Sequence, residues 1–267
     1  MISVFLLIRF SYLSARGGQY RRTENLTLER RAALLFDEAR LDARLAIFEQ
    51  FCLPSLIAQP ADQCRAILLT STEMPSAALM RLQDLVRPHP QIQIVARPPG
   101  IFQNDFAEAI RQTDDAAPII YAARMDDDDA VSRDFTEQAA GYAQARYLNH
   151  AVSFFRGIEA GRLLGRLRVW ERQWMMAGVG LGHVTRSDNT ETAYSLGHHL
   201  HIAKSRPTIL DGRRLAFLIT RHSRNDSKRS LPTRQILGRG TIARPDTLPE
   251  EWRRSFPWLT STDWSVL

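Results

Sequence analysis

Only two cysteines, Cys52 and Cys64, occur in 267 residues, and neither sits in a CxxC pair or a Cys/His pattern with metal-ligand spacing. This excludes a disulfide scaffold and a zinc site as organising devices, and both thiols read as reduced, buried and intracellular. Long apolar runs are missing too: no window approaches the roughly 18 residues of a membrane span. The opening MISVFLLIRFSYL is apolar over residues 4–8. It lacks a basic n-region, Arg9 interrupts it and no clean small-residue cleavage site follows, so it reads as a first core strand rather than a secretion signal. Neither GxxxxGK[ST] nor GxGxxG is present, which removes a P-loop phosphotransferase and weakens a dinucleotide-binding reading. Internal repeats and low-complexity tracts are absent. Lysine is scarce, at two of the 35 basic residues, a bias that GC-rich coding produces without functional demand.

What remains is a globular composition. A hydrophobic fraction of 44% supports a proper core, enough for one large domain or two small ones. The net charge of +6 is unevenly spread: His201 to Leu267 holds 13 Lys/Arg against 6 Asp/Glu, whereas the preceding 200 residues hold 22 against 23. A basic C-terminal quarter suits nucleic acid, an anionic lipid surface or a phosphorylated small molecule.

Short apolar runs alternate with helical periodicity through the first half. SVFLLIRF (3–10), RAILLTST (65–72), QIQIVARP (91–98) and PIIYAARM (118–125) read as strands. Segments 41–59, 76–86 and 105–113 read as helices between them, and a further helix is expected over 130–145. Such alternation predicts an α/β fold with a mostly parallel sheet flanked by helices, and ligands bind beyond the C-terminal ends of its strands. After residue 146 the pattern turns mixed or antiparallel, with candidate strands at 149–157, 162–170 and 173–181. Residues 182–194 read as a mobile loop and the proline-punctuated end as helix and loop. The expected organisation is a nucleotide-binding half, 1–145, and an acceptor-binding, basic part of the same domain, 146–267.

The sharpest feature is MDDDDAV, four consecutive aspartates at the end of the fourth predicted strand. Adjacent carboxylates repel one another, so the run costs stability unless water, a cation or basic side chains compensate. Placed on a strand's C-terminal end, Asp126 and Asp128 project to one side and can take a divalent cation. Oxygen ligands suit Mg²⁺ or Mn²⁺, which complete their shells with phosphate oxygens of a substrate.

IYAARMDDDDAV resembles the strand, Asp-x-Asp-Asp turn and helix of GT-A nucleotide-sugar glycosyltransferases. With LLIRFS (6–11), FEQFCLPSLIAQ (48–59), ILLTSTEMP (67–75), SLGHHLHI (195–202) and TRHSRNDS (220–227) in this order, the chain resembles the bacterial rhamnosyl transferase family. The resemblance implies a GT-A-like, Rossmann-type sheet and a metal-dependent transfer of a sugar from a nucleoside-diphosphate donor to a glycan or lipid-linked acceptor. It implies that Arg9, Ser11, Asp126, Asp129, Arg221 and Arg224 receive the nucleotide sugar and that Asp128 and His222 hold Mn²⁺ or Mg²⁺. An inverting reaction requires a general base, for which Glu171, Asp188 and Glu191 are the candidates, Glu171 and Glu191 foremost; Asp127, an addition to the usual wording of the motif, is expected to matter least. Trp170, Trp174, Met175 and Met176 serve either an acceptor surface or the core. Alternation in a strand would separate His198 from His199 and His201.

These expectations place the protein in the cytoplasm, in peripheral contact with the inner face of the membrane and with no nucleic acid as partner. The competing reading is a basic module that binds nucleic acid or an anionic membrane surface without catalysis. It leaves unexplained why the acids fall at a strand's end.

Overall fold

Strand β1 (Ile2–Arg9) is buried on both faces, as its uninterrupted apolar sequence requires of a central strand covered from two sides. In the computed structural model, which describes residues 1–15, 26–189, 191–222 and 241–267, period-two alternation divides it cleanly. Val4, Leu6 and Ile8 join one core and Phe5 and Leu7 the other. Helix α1 (Leu28–Leu35) is followed by α2 (Glu38–Ile47), whose Leu41 and Leu45 cover the first core. Thr27 caps α1 and Asp37 caps α2, each accepting a backbone N–H of the first turn. Helix α2 runs through a π-helical turn, Phe48–Cys52, into α3 (Leu53–Ile57).

Strand β2 (Cys64–Ser71), α4 (Ser76–Val86), β3 (Ile92–Arg97), α5 (Phe102–Arg111) and β4 (Ala116–Asp126) complete the expected β/α series. Phe102, Phe106, Ala109 and Ile110 recur at helical spacing, and that stripe packs α5 onto the second face of β1. Strands β1 to β4 pair in parallel, in the order β4-β1-β2-β3.

The chain then leaves this sheet. A turn at Asp126–Asp129 leads to β5 (Ala130–Val131) of a second sheet, followed by α6 (Phe135–Ala140) and β6 (Ala151–Phe154). Strands β7 (Arg156–Leu163) and β8 (Arg166–Gln173) form an antiparallel hairpin, and β9 (Gly182–Arg186) inserts antiparallel to β4 and β6. Last come β10 (Thr208–Asp211), β11 (Phe217–Arg221), β12 (Ile242–Ala243) and α7 (Glu250–Ser255). The full sheets are β10-β6-β9-β4-β1-β2-β3 and β12-β8-β7-β11-β5. The aspartate run is thus the passage between two sheets. Among the described residues no helix is long and apolar enough to cross a membrane.

Several sequence expectations are corrected. Residues 182–186 form an interior strand rather than a loop; His183 and Thr185 are buried polar residues that mask the pattern. The helix expected over 130–145 is reduced to α6, because Ala130 and Val131 pair with Leu218 and Phe217. Residues 199–204 form a 3₁₀ turn, so the histidines do not alternate on a strand: the His198 ring contacts both His199 and His201, at 4.7 and 5.5 Å between centroids. Trp170 and Met176 are buried in the core, and Met175 is exposed.

Gly182 is there for space. A Cβ at this position would lie 2.1 Å from Cζ and 2.3 Å from Cε1 of Tyr121. That ring is pinned by hydrogen bonds from its hydroxyl to the carbonyls of Gly180 (2.7 Å) and Val152 (3.2 Å). Gly182→Ala should therefore cost about 3 kcal/mol in chemical denaturation, the upper range for overpacking a core with little room to yield. A loss under about 1 kcal/mol would show that the ring can move aside.

Candidate active site

The C-terminal ends of β1 and β4, the aspartate turn, the end of β11 and residues 174–199 enclose an open cleft of about 460 Å³. Burial alternates along the aspartates. Asp127 and Asp129 are buried at 1% and 6% exposure, while Asp126 and Asp128 are more open.

Each aspartate has a different partner. Arg44, projecting from α2, clamps Asp127 with Nε 2.9 Å from Oδ2 and Nη2 on Oδ1. Burial pushes the Asp127 carboxyl up to about 6 while the charge of Arg44 pulls the other way. Asp129 accepts the Thr220 backbone N–H at 3.1 Å. Burial, then the charges of Asp128 and Asp126, raise it well above the usual carboxylate range. Asp128 faces Nε2 of His222, 3.1 Å from Oδ2, and the Thr220 hydroxyl donates to its backbone carbonyl at 2.7 Å. Burial opposes its ionisation, yet the His222 hydrogen bond and the charge of Arg44 outweigh it and hold the carboxyl low. Asp126, 46% exposed, lies 3.7 Å from Arg9, whose guanidinium sits over the rings of Phe102 and Tyr194.

β11 thus brings Thr220, Arg221 and His222 to the run from a point some 90 residues away in sequence. Arg221 lines the cleft and is held by Glu159, which is 1% exposed and also lies 3.3 Å from Arg172. Arg172 in turn backs the Trp174 ring at 4.9 Å.

Residues 3–234 match the family model described as "Putative rhamnosyl transferase". The chain belongs to this family. Among solved structures, this rhamnosyl transferase family member is similar to S. aureus TarS residues 1–349 in complex with UDP-GlcNAc, at 11% identity and a TM-score of 0.48, over 86% of this chain and 62% of that one. It is similar as well to S. aureus TarS 1–349, at 11% identity and a TM-score of 0.44, over 82% and 60% of the two chains. The chain thus spans less than two thirds of the TarS chains. No curated protein matches it significantly in sequence.

Of the site residues expected for the family member, Arg9, Asp126, Asp128, Asp129 and Arg221 line the cleft, and His222 reaches Asp128. Ser11 stands behind it: buried, in a left-handed conformation (φ 47°), it accepts a hydrogen bond from Arg40 at 3.3 Å. Arg224 lies outside the described residues.

Glu171 and Glu191 do not line the cleft. Glu171 is 3.0 Å from Arg156, which also holds Glu251 and so ties β8 to α7. The Glu191 carboxylate accepts from Arg206 with both oxygens, at 3.0 and 3.1 Å. Both are ion-paired and neither is among the residues that line the cleft. Among the described residues the carboxylates lining the cleft are those of the run.

Sequence reasoning missed Arg44, Glu159, Arg124 and Tyr194. Arg124 was within reach, since two residues before Asp126 on a strand it faces the same side. Nothing local marked Arg44 or Glu159, whose roles come from tertiary pairing. His198 and His199 do line the cleft, and burial with the charge of Arg124 lowers His199 to about 4.

Proposed function

We propose that this cleft binds a nucleoside-diphosphate sugar together with Mn²⁺ or Mg²⁺ and transfers the sugar, rhamnose by family description, to a hydroxyl of a glycan or lipid-linked acceptor. The observation that carries the reading is that Asp126, Asp128 and Arg221 line one cleft, with His222 hydrogen-bonded to Asp128. Among the described residues no three His, Cys, Asp or Glu form a group that could hold an ion. The donor set is instead an open one of hard carboxylate oxygens and one imidazole, which suits Mg²⁺ or Mn²⁺ sharing its shell with phosphate oxygens. When bound, such an ion neutralises charge developing on the departing diphosphate.

The chain's own residues supply the rest. Asp128 is held charged at neutral pH and His222 is oriented by its hydrogen bond to it. Arg221, fixed by Glu159, offers a preorganised cation to the diphosphate. Asp127 and Arg44 satisfy each other and keep the turn in shape.

Thermal denaturation tests the proposal. Mn²⁺ or Mg²⁺ with one of UDP, GDP or dTDP should raise Tm by about 5 °C at ligand 100 times Kd, from about 2.7 kcal/mol of linkage. EDTA should remove the shift. If none of the three nucleotides, in either metal, moves Tm, the reading is wrong.

A further inference from the structure

The basic side chains at the cleft do not have equivalent partners. Arg44 is held by Asp127, Arg221 by Glu159, Arg9 stands 3.7 Å from Asp126 and His222 hydrogen-bonds Asp128. Arg124, on β4, has no carboxylate within 4.0 Å among the described residues, and its Nε is buried without a hydrogen-bond partner. Its guanidinium lies over the Tyr194 ring at 4.8 Å, and Gly178 beside it presents no side chain; a Cβ there would stand 3.5 Å from Nη2. A buried guanidinium N–H with no acceptor is costly to maintain, and an anionic ligand removes that cost.

Which ligand it meets follows from the two walls. Asp128, Thr220, Arg221 and His222 form the β11 wall, where the proposed metal and diphosphate belong. Arg124 reaches Tyr194 and Gly178 of the segment 174–199, which also brings Trp174 to the cleft. The Trp174 ring is backed by Arg172 at 4.9 Å and edged by His199 at 6.2 Å, so it is held as a rigid apolar face against which a sugar ring can lie. A guanidinium next to such a face matches the two oxygens of a carboxylate or phosphate.

Building on the transferase reading above, we infer that Arg124 and Trp174 form an acceptor subsite for an anionic saccharide, with the ring on Trp174 and its carboxylate or phosphate on Arg124. The subsite selects a charged acceptor over its neutral counterpart and leaves the donor's diphosphate to Arg221.

Saturation-transfer NMR titrations of the full chain in Mg²⁺ and UDP, GDP or dTDP test this with methyl glucuronide, glucose phosphate and uncharged methyl glucoside. A charged sugar should bind at least about tenfold more tightly than the glucoside, the effect of one charge-assisted contact. The stronger of the two charged probes names carboxylate or phosphate as the group taken. Arg124→Gln should abolish the preference yet keep the metal-nucleotide shift in Tm. Equal binding of charged and neutral sugars overturns the subsite. Loss of the nucleotide shift in Arg124→Gln, with the sugar preference intact, overturns it too and assigns Arg124 to the donor, leaving the transferase reading standing. A wild-type chain with no nucleotide shift fails that reading separately. Should the glutamine variant not fold, Arg124→Lys keeps the charge but loses the fork; an unweakened preference in it overturns the subsite.

Discussion

Asp127→Ala should be the most destabilising single change in the aspartate run, by about 3 kcal/mol in urea or thermal unfolding, because it strands a largely buried arginine. Asp127 is 1% exposed, and both its oxygens are taken by Arg44, whose side chain is 13% exposed. Burial raises the Asp127 carboxyl even with the arginine present, so the pair is not strongly stabilising in itself. Removing one partner is another matter, since the guanidinium then keeps its desolvation without its counter-charge. Replacing both, as Arg44→Met with Asp127→Leu, should recover much of the loss, and Asp126→Ala, on a half-exposed side chain, should stay within about 0.5 kcal/mol. An Asp127→Ala protein as stable as Asp126→Ala would refute the account. This ranking inverts the sequence expectation, in which the extra aspartate of the motif was the dispensable one.

The inversion shows where legibility ended. The parallel series β1 to β4, the placement of the aspartates at a strand's end and the family were readable because each is carried by local pattern: apolar runs of strand length, helical stripes such as Phe102, Phe106 and Ile110, and an ordered set of short motifs. Burial within the run was not readable. Whether an aspartate points to solvent or into a clamp depends on Arg44, which reaches it across 83 residues of sequence. Strand β9 was misread for a related reason, as a central strand whose buried His183 and Thr185 imitate a polar loop. Glu171 and Glu191 lie outside the cleft lining, each on an arginine that the sequence does not pair with it. His222 falls beside Asp128 because it directly follows β11, with which the sequence motif TRHSRNDS groups it.

Asp128→Asn separates catalysis from architecture. The substitution preserves shape, keeps the backbone carbonyl that accepts the Thr220 hydroxyl at 2.7 Å, and leaves an oxygen to meet His222. What disappears is one negative charge that the surroundings hold ionised: burial works against it, but the His222 hydrogen bond and Arg44 prevail. Stability should therefore change by only about 1 kcal/mol, far less than for Asp127→Ala. Transfer should fall by about 100-fold or more, the range seen when one preorganised electrostatic contact to developing charge is removed. The metal-dependent rise in Tm with nucleotide should vanish in the same variant. His222→Ala should weaken that rise without erasing it, since the aspartate charge remains. Loss of activity in Asp128→Asn with the metal-nucleotide shift intact would move Asp128 from ligand holding to proton transfer; loss of neither would place the donor elsewhere in the molecule. The contrast between two adjacent aspartates, one costing stability and the other function, is the consequence of a run that turns alternately into a clamp and into a cleft.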